Sequence, residues 1–358
     1  MLREQMSVVV APAKLMGVNV GSAAASVGSR AGVVTMTPAI PAVSVLMAIR
    51  NAECFIDEAI ASVLRQTFAD LELVLVDNGS SDGTSARIAA WRQRDPRVFT
   101  FRLERPGLGR SLNYAAAQAR ASVFARMDAD DVAEPRRLEV QLAALAADPA
   151  LGVIGSDALL IDVRGRPLGE IRRRPGRRAI RAYLAEGNPF VHSSVLIRRC
   201  AFNEVGGYRD GLSITEDLDL WLRLAEVSEL DVIPEMLVRY RLHGNSMMRR
   251  QATRAVLAEV CIRAAVAARR AGGAEPFSCG CPQLRRALPL LGIKRGTFRR
   301  AIRVRLLRQR IDAWHQRLPT SPRLKAWVRS LPARVGLKPL FGWSLNRIAQ
   351  YSVWTSRS

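Results

Sequence analysis

Short apolar runs alternate with amphipathic segments along the chain from residue 42 onward. The runs are rich in Val, Ile and Leu without polar alternation, which is typical of strands that are buried on both faces. The pattern predicts strands over 43–49, 71–76, 98–103 and 122–127, and helices over 57–66, 84–94, 110–120 and 135–148. Four such β-α repeats indicate a Rossmann-like α/β fold with a mixed, mostly parallel sheet flanked by helices, and ligands bind such sheets at the carboxyl ends of the strands.

The repeat of strand and helix stops after residue 150. Further strands are predicted over 152–162, 188–199 and 230–246, and a glycine-rich turn, a loop and an amphipathic helix over 206–226. From residue 249 the chain is rich in Arg and Ala with helical spacing. We therefore predict three regions, which are a poorly ordered extension at 1–41, a catalytic domain at 42–248 and a basic, mostly helical region at 249–358.

The net charge of +22 belongs to the last region. Residues 249–358 contain 24 of the 54 Lys and Arg residues but only 3 of the 32 Asp and Glu residues, so the first two-thirds of the chain is nearly neutral. Five cysteines in no metal or disulfide spacing favour reduced thiols and a cytoplasmic location. No uninterrupted apolar run reaches the roughly 18–20 residues that span a bilayer, so we expect a soluble or peripheral protein.

Acidic loops follow the second and fourth predicted strands, with the sequences DNGSSDG and DADD. In a parallel sheet both loops open on the same edge, which favours a shared ligand. The second loop places Asp128, Asp130 and Asp131 within four positions. Carboxylates this close are typical of a cation site, although Asp is also common where a helix begins, and the hexapeptide RMDADD alone does not separate these two interpretations.

Five motifs in order make the sequence resemble the family 2 glycosyltransferases. They are VSVLMAIRNAECFIDEAIASVLRQTFADLELVLVDNGSSDGT, RMDADD, HSSVLIRR, GGY with ITEDLDLWLRL, and YRLHGNSM, and together they cover about residues 42–247. The resemblance implies a GT-A fold and an inverting transfer from a nucleotide-activated sugar. It further implies a divalent cation, Mg²⁺ or Mn²⁺, which stabilises the departing diphosphate.

On the donor side, the resemblance implies that Asp128 faces the ribose and that Asp130 ligates the metal. Asp77 matches the acid that hydrogen-bonds the nucleotide base, and Arg110 matches a basic position near the nucleotide. The first strand ends in AIRN, where the family often has an aromatic residue, which leaves the base contact to the main chain around Ala48. Asp131 is expected to have a structural or helix-capping role.

On the acceptor side, Asp217 in TEDLD matches the general base that takes the proton of the attacking hydroxyl. Glu216 is expected to bind the acceptor, and Asp219 to be structural. His243, in YRLHGNS, matches a histidine that completes the metal or diphosphate site. His192, in FVHSS, is expected to line the wall of the acceptor pocket.

Two other functions compete with this interpretation. A nucleotidylyltransferase needs a glycine-rich basic loop after its first strand, and this chain has RNAECF there. A nucleic-acid-binding protein would use the basic region at 249–358 and keep the front domain as a non-catalytic scaffold. The arginine-rich stretch at 285–317 has only Phe298 and Trp314 interleaved for stacking on bases, which makes nucleic acid the less favoured partner. Apolar residues between its arginines fit an anionic membrane surface as well as a solvated basic face. We expect a nucleotide-sugar donor and a saccharide or lipid-linked saccharide acceptor, in cell-surface polysaccharide or glycolipid synthesis.

Overall fold

The computed structural model describes residues 39–243, apart from Pro106 and Ser213, and Ala258, Glu259, Ile262, Ala265 and Val266. Nearly all of the predicted extension at 1–41 and of the basic region at 249–358 lies outside these residues. The predicted domain boundaries therefore stay predictions.

Nine strands and seven helices make up the described part of the chain. The strands are β1 (Val43–Ile49), β2 (Leu71–Asp77), β3 (Val98–Arg102), β4 (Val123–Arg126), β5 (Val132–Ala133), β6 (Leu151–Ile161), β7 (Pro167–Ile171), β8 (Leu196–Arg198) and β9 (Glu229–Arg241). The helices are α1 (Ile56–Leu64), α2 (Thr84–Arg94), α3 (Leu108–Gln118), α4 (Arg137–Ala147), α5 (Arg177–Glu186), α6 (Arg199–Glu204) and α7 (Glu216–Val227).

The four predicted β-α repeats form the parallel half of a single mixed sheet. The strand order is β3-β2-β1-β4-β8-β6-β9-β5, and β7 pairs with β6. β1 pairs in parallel with β2 on one side and with β4 on the other, and β2 pairs in parallel with β3. The predicted fold class is confirmed for the described residues.

The predicted strand over 188–199 is wrong in most of its length. Only Leu196–Arg198 is a strand, and it runs antiparallel to β4. A 3₁₀ turn at His192–Ser194 precedes it and α6 follows. The reason is local, because the hydroxyl of Ser194 donates to the carbonyl of Val191 at 2.8 Å and stabilises a turn in place of a ladder.

The sheet is buried on both faces, as its apolar runs predict. Alternate residues of β1 and β2 enter two hydrophobic clusters, one against α1 and α4 and the other against α3, α5 and α7. Ile262 and Val266, which follow the predicted domain boundary, are buried in the second cluster. Among the described residues, no helix is both long and apolar enough to cross a membrane.

Candidate active site

The carboxyl edge of the parallel half gathers the acidic loops. β2 ends at Asp77, and β4 ends two residues before Asp128. Both strands run parallel to β1, which lies between them. The two loops therefore open on one edge of the sheet, as the sequence predicts.

Asp77 is buried and held by the start of the next helix. Its Oδ1 accepts the backbone N–H of Ser80 at 2.8 Å, its Oδ2 accepts the hydroxyl of Ser85 at 2.5 Å, and Arg102 lies 3.7 Å away. Burial alone would raise the pKa of Asp77, but the hydrogen bonds from Ser85 and Ser80 and the charge of Arg102 outweigh it and lower the pKa. Asp77 is therefore an ionised acceptor, which suits the N–H groups of a nucleotide base.

The main chain beside Asp77 forms the rest of this pocket edge. Ala48 is half-buried on β1 and pairs with Val76. Asn51, which follows β1, has a left-handed backbone with φ of 51°, and its Oδ1 accepts the N–H of Ser81 at 2.8 Å. Arg110 is 40% exposed in its side chain and forms an ion pair with Asp210 at 2.7 Å. Among the described residues, the ion pair of Arg110 is therefore with a carboxylate at the surface.

The loop after β4 brings three carboxylates together. One oxygen each of Asp128, Asp130 and Asp131 lies within 4.8 Å of the others. Asp128 and Asp130 are half-buried, and Asp131 is buried. Burial raises the pKa of Asp131, and the negative charges of Asp130 and Asp128 raise it further. A bound cation would relieve the mutual repulsion of the three carboxylates.

His243 and Arg241 reach this cluster from the end of β9. The Nε2 atom of His243 lies 2.7 Å from Oδ2 of Asp130. The backbone N–H of Arg241 donates to Oδ1 of Asp131 at 2.8 Å, and its Nε donates to the carbonyl of Asp130 at 2.8 Å. The donor set of carboxylate oxygens and one imidazole nitrogen fits a hard or borderline divalent cation such as Mg²⁺ or Mn²⁺.

The first turn of α7 supplies the second acid pair. The residue before the helix, Thr215, has φ of 64°, which is a strained conformation for a β-branched residue and is typical of functional sites. Glu216 is 5% exposed, and its Oε2 atom has no hydrogen-bond partner among the described residues. Burial first, and then the charge of Asp217, raise the pKa of Glu216 to about 8.

Asp217 is half-buried and oriented by two donors. Asn188 donates to its Oδ2 at 2.5 Å, and the N–H of Leu218 donates to its Oδ1 at 2.7 Å. Burial raises the pKa of Asp217 despite these hydrogen bonds and the nearby charge of Arg126, and the charge of Asp128 adds to the rise. The cluster after β4 and the acid pair of α7 therefore lie close enough to interact.

His192 and Tyr208 lie beside both acid groups. The ring Nε2 of His192 is 2.7 Å from the hydroxyl of Tyr208, and its ring packs edge-on against Trp221. Burial, followed by the charge of Arg126, lowers the pKa of His192 well below its usual value, so the ring is neutral. Asp219 is buried and accepts two hydrogen bonds from Arg223, which is a structural contact as expected.

Sequence reasoning missed three side chains of this site. Arg126, Ser193 and Asn188 contact the acids directly. The buried arginine at the end of an apolar strand was the available signal, because a guanidinium in that place needs a partner. Ser193 and Asn188 carried no such signal in the sequence.

Comparison with known proteins identifies the class of protein. A mannosyltransferase from Pyrobaculum calidifontis, described as a complex with GDP-Man and Mn²⁺, superposes with a TM-score of 0.51 at 19% identity over 89% of either chain. Together with the curled, mostly parallel sheet, this similarity defines a GT-A glycosyltransferase fold.

Two sequence relatives and one family profile place the chain more narrowly. The O-antigen biosynthesis glycosyltransferase WbnJ of Escherichia coli is 34% identical over 208 residues, which are 57% of this chain and 81% of WbnJ. An Escherichia coli UDP-Gal:alpha-D-GlcNAc-diphosphoundecaprenol beta-1,3-galactosyltransferase is 29% identical over 230 residues, covering 63% of this chain and 83% of that enzyme. The profile of glycosyl transferase family 2 matches residues 44–206. The chain belongs to glycosyl transferase family 2, and the resemblance seen in its motifs is confirmed.

Proposed function

We propose that the protein is an inverting glycosyltransferase that moves a sugar from a nucleotide-sugar donor, a UDP-sugar, to an acceptor hydroxyl. One observation carries the proposal. The cluster of Asp128, Asp130 and Asp131 lies at the carboxyl edge of the sheet, close enough to Glu216 and Asp217 for their charges to act on one another. A donor diphosphate and an acceptor hydroxyl need two such groups of acids side by side.

The donor half consists of Asp77, Ala48 and the cluster after β4. Asp77 accepts hydrogen bonds from the nucleotide base, and the main chain around Ala48 contacts the base. Asp128 faces the ribose. Asp130 and His243 are the residues that would hold a divalent cation, and when it is bound this cation stabilises the charge on the departing diphosphate. Arg110, in the first turn of α3, supplies further positive charge for the nucleotide.

The acceptor half consists of Glu216 and Asp217. Asp217 takes the proton from the acceptor hydroxyl, and its raised pKa makes its carboxylate a stronger base. Asn188 and the N–H of Leu218 fix the orientation of that carboxylate. Glu216 is protonated below a pH of about 8 and donates a hydrogen bond to an acceptor oxygen. Attack from the face opposite the diphosphate inverts the anomeric carbon.

The setting we propose is the synthesis of a cell-surface polysaccharide or glycolipid. One relative is an O-antigen biosynthesis enzyme, and the name of another specifies a diphosphoundecaprenol-linked acceptor. The strong positive charge of residues 249–358 suits attachment to an anionic membrane surface at the cytoplasmic face of the inner membrane, where a lipid-linked saccharide is accessible.

Calorimetric titration of the full-length protein with UDP, dTDP and GDP, with and without Mn²⁺, tests the donor half. We expect one nucleotide, UDP, to bind in a metal-dependent manner, and we expect Asp130→Ala to abolish this dependence. Asp70→Ala is the control, because Asp70 is exposed and accepts a hydrogen bond from Ala42. Absence of binding by every nucleotide in the wild type would refute the proposal.

A further inference from the structure

Arg126 occupies a position where a charge is costly. It ends the apolar strand β4, and only 3% of its surface is exposed. Burying a guanidinium costs several kcal/mol unless it is paired and hydrogen-bonded. Its contacts must therefore account for its presence.

Those contacts lead to two of the clustered carboxylates. Nη2 of Arg126 forms an ion pair with Oδ1 of Asp128. Nη1 donates to the hydroxyl oxygen of Ser193 at 2.9 Å, and this hydroxyl in turn donates to Oδ2 of Asp131. The same serine oxygen accepts the backbone N–H of Asp128 at 3.2 Å. One guanidinium thus holds Asp128 directly and Asp131 through a single hydroxyl.

The charge of the guanidinium also acts on the acceptor half. Its charge opposes the rise in the pKa of Glu216 and Asp217, and it contributes to the low pKa of His192. Its Nε atom is buried without a hydrogen-bond partner among the described residues. The charge of Arg126 therefore acts on both groups of acids, although its described contacts are with the cluster after β4.

We propose that Arg126 is a positioning residue that fixes the carboxylate of Asp128 for the donor nucleotide. This inference rests on the proposed function. An arginine is required because its planar fork reaches Asp128 and Ser193 at the same time, whereas the single ammonium of a lysine reaches only one of them.

The test compares full-length Arg126→Met and Arg126→Lys with the wild type in the titration with UDP and Mn²⁺, or with GDP and Mn²⁺ if GDP is the nucleotide that binds. We expect Arg126→Met to weaken binding about 10–100-fold, the range for residues that orient ligand-contacting groups. Arg126→Lys should recover part of the loss. Arg198→Lys is the matched control, because Arg198 lies on the neighbouring strand β8 and donates to the carbonyls of Leu151 and Leu145.

A double-mutant cycle separates positioning from a general structural role. If Arg126 acts through Asp128, Arg126→Met combined with Asp128→Asn should bind the nucleotide no more weakly than Asp128→Asn alone. Additive losses, or a wild-type affinity in Arg126→Met, would overturn the inference and leave the proposed function standing. If Arg126→Met does not fold, Arg126→Lys and Ser193→Ala decide the matter, since each should weaken binding severalfold and wild-type affinity in both would overturn it. A wild type that binds no nucleotide overturns both proposals.

Discussion

Glu216→Gln should make the protein more stable and less active. The wild-type carboxyl is 5% exposed, and its pKa rises from the usual 4.5 to about 8 on folding. Folding therefore favours the protonated form, and the stability that this proton provides is complete below about pH 4.5 and is lost as the pH rises towards 8. A glutamine keeps the neutral shape at every pH and does not undergo this loss.

The size of the effect follows from the shift. The pKa is 4.5 in the unfolded chain and about 8 in the folded protein. By linkage, the wild-type carboxyl therefore lowers the free energy of unfolding by an amount on the order of 3 kcal/mol at pH 7 and close to zero at pH 4.

Urea unfolding of both proteins at pH 4, 7 and 8.5 measures the difference directly. Glu204→Gln is the control, because Glu204 is an exposed glutamate at the end of α6. We expect Glu216→Gln to gain on the wild type as the pH rises, and its transfer rate to fall because its amide is a weaker hydrogen-bond donor to the acceptor than a carboxylic acid. If the difference in unfolding free energy between Glu216→Gln and the wild type is the same at pH 4 and at pH 8.5, the argument from burial is refuted.

The other predictions concern the base, the turn before α7 and the region after the predicted domain boundary. Asp217→Asn should lower kcat by about 10²–10⁴-fold while nucleotide affinity in calorimetry stays unchanged. In urea unfolding, Gly207→Ala should lower the free energy of unfolding by about 2–4 kcal/mol and Gly206→Ala by only about 1–2 kcal/mol. Both glycines have positive φ, but only at Gly207 would a Cβ lie 2.6 Å from a side-chain oxygen. Equal losses would contradict this. Ile262→Ala should cost about 2–5 kcal/mol, whereas a change below about 0.5 kcal/mol would mean that this residue lies outside the folded core.

The elements that the sequence predicts well are those with continuous apolar patterns. β1 has the predicted bounds, and β2 is one residue longer than predicted. Successive side chains of these strands alternate between the two hydrophobic clusters, so both faces are apolar and the pattern is continuous. α5 was missed because only Ile180 and Leu184 bury a strong apolar face in a segment rich in arginine. β7 was missed because it is a largely solvent-exposed strand that follows a turn and gains its structure by pairing with β6.

The candidate site divides in the same way. Asp77, Asp128, Asp130 and Asp217 stand in motifs that specify their chemistry locally, so their positions could be predicted, although their roles stay predictions. The contacts of Arg126 with Ser193 and of Asn188 with Asp217 join positions 67 and 29 residues apart. Nothing in the local pattern fixes such pairs, because they depend on how the strands are ordered in the sheet.

The late position of Arg241 and His243 has a consequence for the order in which the site is made. His243 follows Asp130 by 113 residues, and Arg241 reaches back to Glu58, near the start of the domain. At a synthesis rate of about 5–20 residues per second, a ribosome needs roughly 6–23 s to add the partners of an acid cluster that has already been synthesised. During that interval Arg126, which precedes the cluster in the chain, is available to pair with Asp128, whereas the partners of Asp130 and Asp131 on β9 and after it are still missing. The acid cluster therefore gains its last described partners only when the last described strand, β9, has been synthesised.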